Sequence, residues 1–81
     1  NIPPLTEERR RDLAKLAKSE SENAKIVIRS ARKDANNEIK KSDSSEDVQN
    51  NYEIDIQNLT DEFIQRVDKI FSLKEKEILT V

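Results

Sequence analysis

Apolar residues recur every three or four positions along most of the chain, which is the spacing of one face of an α-helix. Neither glycine nor proline interrupts residues 5–81. The apolar stripe of the first half consists of Leu13, Leu16, Ala17, Ala24, Val27, Ala31, Ala35 and Ile39. The pattern predicts one long amphipathic helix whose apolar stripe, including Val27, Ala31 and Ala35, faces the interior of a helical bundle.

The residues that flank this segment predict where the helix begins and ends. Thr6 precedes two glutamates. This is typical of a helix N-terminus, because the hydroxyl caps a backbone N–H and carboxylates favour the positive end of the helix dipole. The polar sequence SDSS at 42–45 is typical of a turn. We therefore expect a helix over about residues 6–41, a turn over about 42–45 and a second helix over about 46–79.

The second helix carries two adjacent apolar stripes. The larger one, expected to pack on the first helix, consists of Val48, Tyr52, Ile56, Leu59, Phe63, Val67 and Ile70. The smaller one consists of Ile64, Phe71 and Ile78, spaced by seven residues. All three aromatic residues, Tyr52, Phe63 and Phe71, are expected in the core. One neighbouring helix cannot cover both stripes, and each large apolar side chain left in water forgoes roughly 1.5–3 kcal/mol, so we expect a third helix to cover the smaller stripe.

Two long helices joined by a short turn predict an all-α fold, a long antiparallel helical hairpin. We interpret this hairpin as two helices of a three-helix bundle, so that residues 1–81 form only part of the domain. The third helix would come from another copy of the chain or from a segment not included in it. The opening residues Asn1 and Ile2, in place of a methionine, favour the second source.

The amino-acid composition excludes several classes of function. The chain contains no cysteine and no histidine, so the commonest metal ligand and the commonest general base are missing. A narrow hairpin also offers no cleft in which the pKa values of its carboxylates would shift. We therefore expect neither an enzyme nor a cofactor. The longest apolar run, residues 26–28, is too short to span a membrane, so we expect a cytoplasmic protein without a membrane partner.

Charge is unevenly distributed between the two halves. Residues 1–41 carry a net charge of +4, whereas residues 42–81 carry −6. At about 100° per residue, Lys25, Arg29 and Arg32 fall on one side of the first helix, where they are expected to project outward along a common edge. Such an edge suits the phosphates of folded RNA, but it is also compatible with a solvated face that only keeps the protein soluble.

Several motifs of this chain, in the same order, resemble the C-terminal part of the bacterial-type ribosome recycling factor family. They are PPLTEERR at 3–10, AKIVIRSARKDANNEIKK at 24–41, SED at 45–47, LTDEFIQRVDKI at 59–70 and KEKEI at 74–78. Together they cover nearly the whole chain. The segment KKSDSSED at 40–47 is shorter than is usual in the family. This difference concerns the tip of the hairpin and leaves the arginine edge unchanged.

The resemblance implies a two-domain, L-shaped molecule in which a smaller β-rich domain is inserted after the first helix of a three-helix bundle. Residues 1–81 would be the last two helices of that bundle, and the other parts would precede Asn1. The resemblance also implies that the bundle binds rRNA of the large ribosomal subunit. With elongation factor G it would promote disassembly of the post-termination ribosome, and GTP hydrolysis would belong to the elongation factor.

The resemblance further predicts which residues contact rRNA. These are Arg9, Arg10, Lys25, Arg29, Arg32 and Lys33. Arg10 matches the family's EERR motif, and Arg29 and Arg32 match its RSARKDAN motif. Lys33 lies where the family usually keeps a cation, and Arg9 and Lys25 are expected to be additional phosphate contacts.

An alternative interpretation assigns the chain a structural function. The hairpin would pair with a second copy of itself to form a four-helix dimer, and its cations would serve only solubility. The carboxylates of the second helix are expected to form a solvated face, or alternatively to bind a basic protein. They are Asp55, Asp61, Glu62 and Asp68.

Overall fold

The computed structural model describes residues 6–80 and contains two helices, α1 over Glu7–Lys41 and α2 over Glu46–Leu79. The helices are joined by residues 42–45 and lie antiparallel in a rod of 66 × 15 × 14 Å. The all-α hairpin that the apolar periodicity predicted is therefore confirmed. Within the described residues, neither helix contains a stretch long and apolar enough to cross a bilayer.

Both helices begin at a hydroxyl cap. Thr6 Oγ1 accepts a hydrogen bond of 3.1 Å from the backbone N–H of Arg9, and Ser45 Oγ accepts one of 3.3 Å from that of Val48. Two carboxylates follow each cap in the first turn of the helix. The caps satisfy N–H groups that have no partner within the helix, and the carboxylates lie at the positive end of its dipole.

The turn between the helices is held by its own hydrogen bonds. The side-chain amide of Gln49 donates to the carbonyl oxygens of Ser42 and Ser44, at 3.3 and 3.0 Å. The backbone N–H of Ser42 donates to the carbonyl oxygen of Ile39 at 3.1 Å. The short connection is thus fixed without glycine, because its polar side chains supply the partners that the backbone needs.

The helices pack along a seam whose most buried residues are both hydroxyl residues. Ser21 is 9% exposed and Thr60 is 6% exposed, and no hydrophobic residue among residues 6–80 is buried to that degree. Each hydroxyl donates a hydrogen bond of 2.7 Å to a carbonyl oxygen of its own helix, that of Lys18 or of Ile56. Half-buried apolar side chains line the rest of the seam: Leu13, Ala14, Ala17, Ala24, Ile28, Ala35, Ile39, Ile56, Ile64, Val67, Phe71 and Ile78.

The stripe of α2 that packs on α1 is not the predicted one. Ile64, Phe71 and Ile78 are half-buried in the seam. Most of the larger stripe is exposed instead, namely Val48, Tyr52, Leu59, Phe63 and Ile70. The expectation that the smaller stripe would remain uncovered was therefore wrong, and Tyr52 and Phe63, which were expected in the core, are exposed in this hairpin. The helices meet along Thr60, and Ile64, Phe71 and Ile78 lie close to Thr60 around α2, at about 100° of rotation per residue.

Part of the apolar stripe of α1 is also exposed. Leu16 is 55% exposed, Val27 is 67% exposed and Ala31 is exposed as well. Val27 and Ala31 lie beside the seam and not in it, so neither is buried between these two helices. Ala35, by contrast, is half-buried as expected.

Exposed and half-buried apolar residues of both helices line two open depressions on one side of the seam. We call the two depressions together the apolar groove. They are lined mainly by Ala17, Ala24, Ala31 and Ala35 of α1 and by Leu59, Phe63 and Ile70 of α2, and Arg32 also lines one of them. The hairpin thus buries one apolar surface in its seam and leaves a second one, the apolar groove, in contact with water.

Candidate nucleic-acid interface

The other side of the seam is polar and combines cations of α1 with amides and carboxylates of α2. We call this side the polar edge. It consists of Lys25, Arg29, Arg32 and Asn36 of α1 and of Gln57, Asp61 and Asp68 of α2. Relative to Thr60 in the seam, Gln57 and Asp61 lie on one side of α2 and the groove residue Phe63 lies on the other, as about 100° of rotation per residue requires.

Three of the predicted rRNA-binding residues are exposed cations. Arg9, Arg29 and Lys33 all lie on the surface of α1. Among residues 6–80, none of the three forms an ion pair with a carboxylate. Their positive charge is therefore not neutralised within the hairpin and is available to an anionic partner.

Arg32 is half-buried and contacts the second helix. Its Nη1 donates a hydrogen bond of 2.9 Å to Oε1 of Gln57. Its Nε is buried without a hydrogen-bond partner, as is Oδ1 of the neighbouring Asn36. The expectation that the cations of α1 project outward along a common edge therefore holds for Arg29 but not for Arg32, because Gln57 draws its guanidinium toward α2. Arg10 is also half-buried.

Lys25 is the most strongly engaged of the predicted site residues. Only 14% of its side chain is exposed, and its Nζ forms ion pairs with Asp68 of α2 and, at 3.5 Å, with Glu22. The hydrogen bond to Asp68 is the main cause that raises the pKa of Lys25 above its ordinary value of 10.5. Binding to a phosphate would have to compete with these two carboxylates, so Lys25 acts in the hairpin mainly as a contact between the helices.

The raised pKa of Lys25 predicts a pH dependence of stability. A group whose pKa is higher in the folded chain stabilises the fold fully below its unfolded pKa, and the contribution is lost as the pH rises through the folded value. We therefore expect the Lys25→Met substitution to lower the free energy of unfolding at neutral pH. The difference from wild type should shrink as the pH rises above 10.5. Urea denaturation at a series of pH values measures it.

The matched control for this prediction is Lys18→Met. Lys18 is an exposed lysine of the same helix whose Nζ forms no ion pair within the described residues. Because it breaks no ion pair, its substitution should lower the free energy of unfolding at neutral pH less than Lys25→Met does. A pH-independent difference for Lys25→Met would contradict a stabilising Lys25–Asp68 pair.

The sequence alone did not indicate that α2 contributes to the site. Asp68 pairs with Lys25, and Gln57 binds Arg32, although the carboxylates of α2 were expected only as a solvated face or a site for a basic protein. One signal was available, the spacing of four residues between Gln57 and Asp61, which allows the hydrogen bond that they form. Which residues of α1 they meet depends on the register of the hairpin.

Comparison with known proteins identifies the family. Residues 1–79 match the family model described as "Ribosome recycling factor". The chain is 53% identical over 81 residues to the ribosome-recycling factor of Christiangramia forsetii, an alignment that covers all of this chain and 44% of that protein. It is 55% identical over 84 residues to that of Flavobacterium johnsoniae and 50% identical over 84 residues to that of Geobacillus kaustophilus. These alignments cover 100% and 99% of this chain and 45% of each relative.

The chain therefore spans less than half the length of the curated relatives that it matches. The matched region nevertheless includes both helices and every predicted site residue. The sequence motifs, the all-α hairpin and these matches agree that the chain belongs to the ribosome recycling factor family.

Proposed function

We propose that this chain is the two-helix part of a three-helix bundle that binds rRNA of the large ribosomal subunit. Together with elongation factor G, the protein would promote disassembly of the post-termination ribosome. Membership of the ribosome recycling factor family supports the recycling role. The chain itself carries no catalytic step in this proposal, needs no cofactor and acts in the cytoplasm, where ribosomes lie.

The observation that carries the proposal is the exposed, unneutralised charge of α1. Arg29 and Lys33 lie one helical turn apart on its surface and form no ion pair within the described residues. Arginine suits a phosphate because its planar guanidinium offers two parallel N–H donors. The polar edge contains no aromatic side chain on which bases could stack, so contacts to the backbone of folded RNA are favoured over stacking on single strands.

The apolar groove supports the three-helix architecture. Leu59, Phe63 and Ile70 are 52%, 42% and 59% exposed in the hairpin, and together with the alanines of α1 they line the two depressions of the groove. An amphipathic helix in the groove would bury them and recover roughly 1.5–3 kcal/mol for each. We assign this position to the first helix of the bundle, which would precede Asn1.

The experiment that tests the proposal is a titration of the full-length protein, with any segment that precedes Asn1, against isolated large ribosomal subunits at several salt concentrations. Each neutralised phosphate contributes roughly one unit to the slope of log K against log salt. We expect a slope of about −4, with one unit each from Arg9, Arg29, Arg32 and Lys33. Absence of binding, or an affinity that does not vary with salt, would contradict the proposal.

The second candidate function is a structural module that dimerises. The specific observation in its favour is again the apolar groove, which a second copy of the hairpin could cover as well as a third helix could. This candidate differs from the first in the predicted oligomeric state and in requiring no binding of RNA.

A further inference from the structure

Three side chains form a hydrogen-bonded chain from α2 to α1 across the polar edge. Asp61 Oδ1 accepts a hydrogen bond of 2.9 Å from Nε2 of Gln57. Oε1 of the same amide accepts one of 2.9 Å from Nη1 of Arg32. The NH2 group of Gln57 thus donates to a residue of its own helix, and its carbonyl oxygen accepts from a residue of α1.

Asp61 determines which end of the Gln57 amide faces Arg32. An ionised carboxylate only accepts hydrogen bonds, so it attracts the NH2 group of the amide and leaves the carbonyl oxygen directed at the guanidinium. Without Asp61, the amide could rotate and present its NH2 group to Arg32. Two donors would then face each other, and Arg32 would lose its anchor.

Arg32 lines a pocket together with a second arginine. Arg29 and Arg32, three residues apart on α1, line the same open pocket as Gln57 and Asp61. The bond to Gln57 uses only one of the several N–H donors of Arg32. Holding a long side chain in place before binding lowers the entropy that is lost when the ligand arrives.

We propose that Gln57 and Asp61 are positioning residues for RNA binding, which hold Arg32 beside Arg29 so that the two guanidinium groups receive a backbone phosphate together. This inference rests on the proposed rRNA-binding function. The proposed site then includes residues of α2, although the sequence motifs that predicted it lie entirely on α1.

A positioning role of Asp61 and a purely electrostatic effect of its charge predict opposite effects of its substitution on RNA binding. If only charge mattered, removing an acid from a phosphate-binding surface would strengthen binding. If Asp61 acts through Gln57 and Arg32, the Asp61→Ala substitution should weaken binding, by about fivefold. The matched control is Asp55→Ala, which removes the same charge from a residue of α2 about 120° away around the helix. Asp55 is exposed, and its substitution should leave the affinity unchanged or slightly higher.

The experiment measures the affinity of the full-length protein for isolated large ribosomal subunits. Gln57→Leu is expected to weaken binding about fivefold in the wild-type background and to have no effect in an Arg32→Ala background, because its action passes through Arg32. A purely structural role would produce the same loss in both backgrounds. Circular dichroism melting of each variant reports any change in the fold separately.

A rescue variant tests the orientation of the amide. The combination of Gln57→Glu with Asp61→Ala has the same net charge as wild type. The carboxylate at position 57 has two acceptor oxygens and no donor, so either orientation presents an acceptor to Arg32. We expect its affinity to return to within about twofold of wild type. Affinity as low as that of Asp61→Ala alone would overturn the inference.

The outcomes distinguish this inference from the function on which it rests. If Asp61→Ala binds as tightly as Asp55→Ala while Arg29→Ala binds more weakly, the positioning role is wrong and the rRNA-binding site stands. If Arg29→Ala also binds as tightly as wild type, the proposed function of the polar edge is wrong.

Discussion

Substitution of Arg29 by alanine is expected to weaken binding of the full-length protein to large ribosomal subunits about tenfold, and to lower the salt slope by about one unit. Arg29 is exposed and forms no ion pair within residues 6–80, so the substitution should remove the proposed phosphate contact without breaking an ion pair between the helices. A tenfold loss corresponds to about 1.4 kcal/mol, which is typical of one charge-assisted hydrogen-bonding contact. Titrations at several salt concentrations measure both quantities.

Two further variants control this prediction. Lys69→Ala removes one positive charge from the surface of α2, about 180° away from the seam residue Thr60, and should change neither affinity nor slope appreciably. Arg29→Lys keeps the charge but loses the paired donors, so it should retain the slope and bind with intermediate affinity. Equal losses for Arg29→Ala and Lys69→Ala would indicate a general effect of net charge and would contradict a localised site.

The second large effect is expected at Ile70, whose side chain lines the apolar groove and is 59% exposed in the hairpin. Ile70→Glu should lower the free energy of unfolding of the full-length protein by at least about 2 kcal/mol, because a helix in the groove would bury a carboxylate in place of an apolar side chain. In residues 1–81 alone, where the groove is open, we expect the wild type to self-associate and Ile70→Glu to prevent it. Urea denaturation and sedimentation measure the two effects.

Ile26→Glu is the matched control, because Ile26 is 60% exposed and lies on α1 outside the apolar groove. It should alter neither the free energy of unfolding nor the association of residues 1–81.

Sedimentation of the full-length wild type then separates the two candidate functions. A monomer that Ile70→Glu destabilises has its third helix in the same chain, whereas a dimer that Ile70→Glu dissociates is the structural module. A residue 1–81 fragment that stays monomeric at all concentrations would contradict the need to cover the groove.

The ends of the helices could be predicted from the sequence because they depend on local chemistry. Thr6 and Ser45 each accept a hydrogen bond from a backbone N–H three residues later, a contact that needs no information about the rest of the molecule. The exposed position of Arg29 follows from helical periodicity in the same way. The sequence therefore indicated that the helices begin near these residues, although it did not single out Ser45 among residues 42–45 as the cap of α2.

The pairing of the helices could not be predicted in the same way. The sequence shows two apolar stripes on α2, but it does not show which of the two stripes packs against α1. The number of residues in each stripe favoured the one with Phe63 and Leu59, whereas the helices meet along Thr60, the most buried residue of α2. The register that brings Arg32 to Gln57, 25 residues away, arises from the same packing, so the role of α2 in the polar edge appeared only in the structure.

The chemistry of the seam has a consequence for the motion of the two helices. Ser21 and Thr60, its most buried residues, bond to carbonyls of their own helices and make no hydrogen bond to each other's. The cross-helix bonds of Lys25 and Arg32 both lie on the polar edge. A small roll of α1 against α2 that widens the opposite side would therefore break neither of these bonds. Such a roll would change the width of the apolar groove while keeping Lys25 and Arg32 in register with α2.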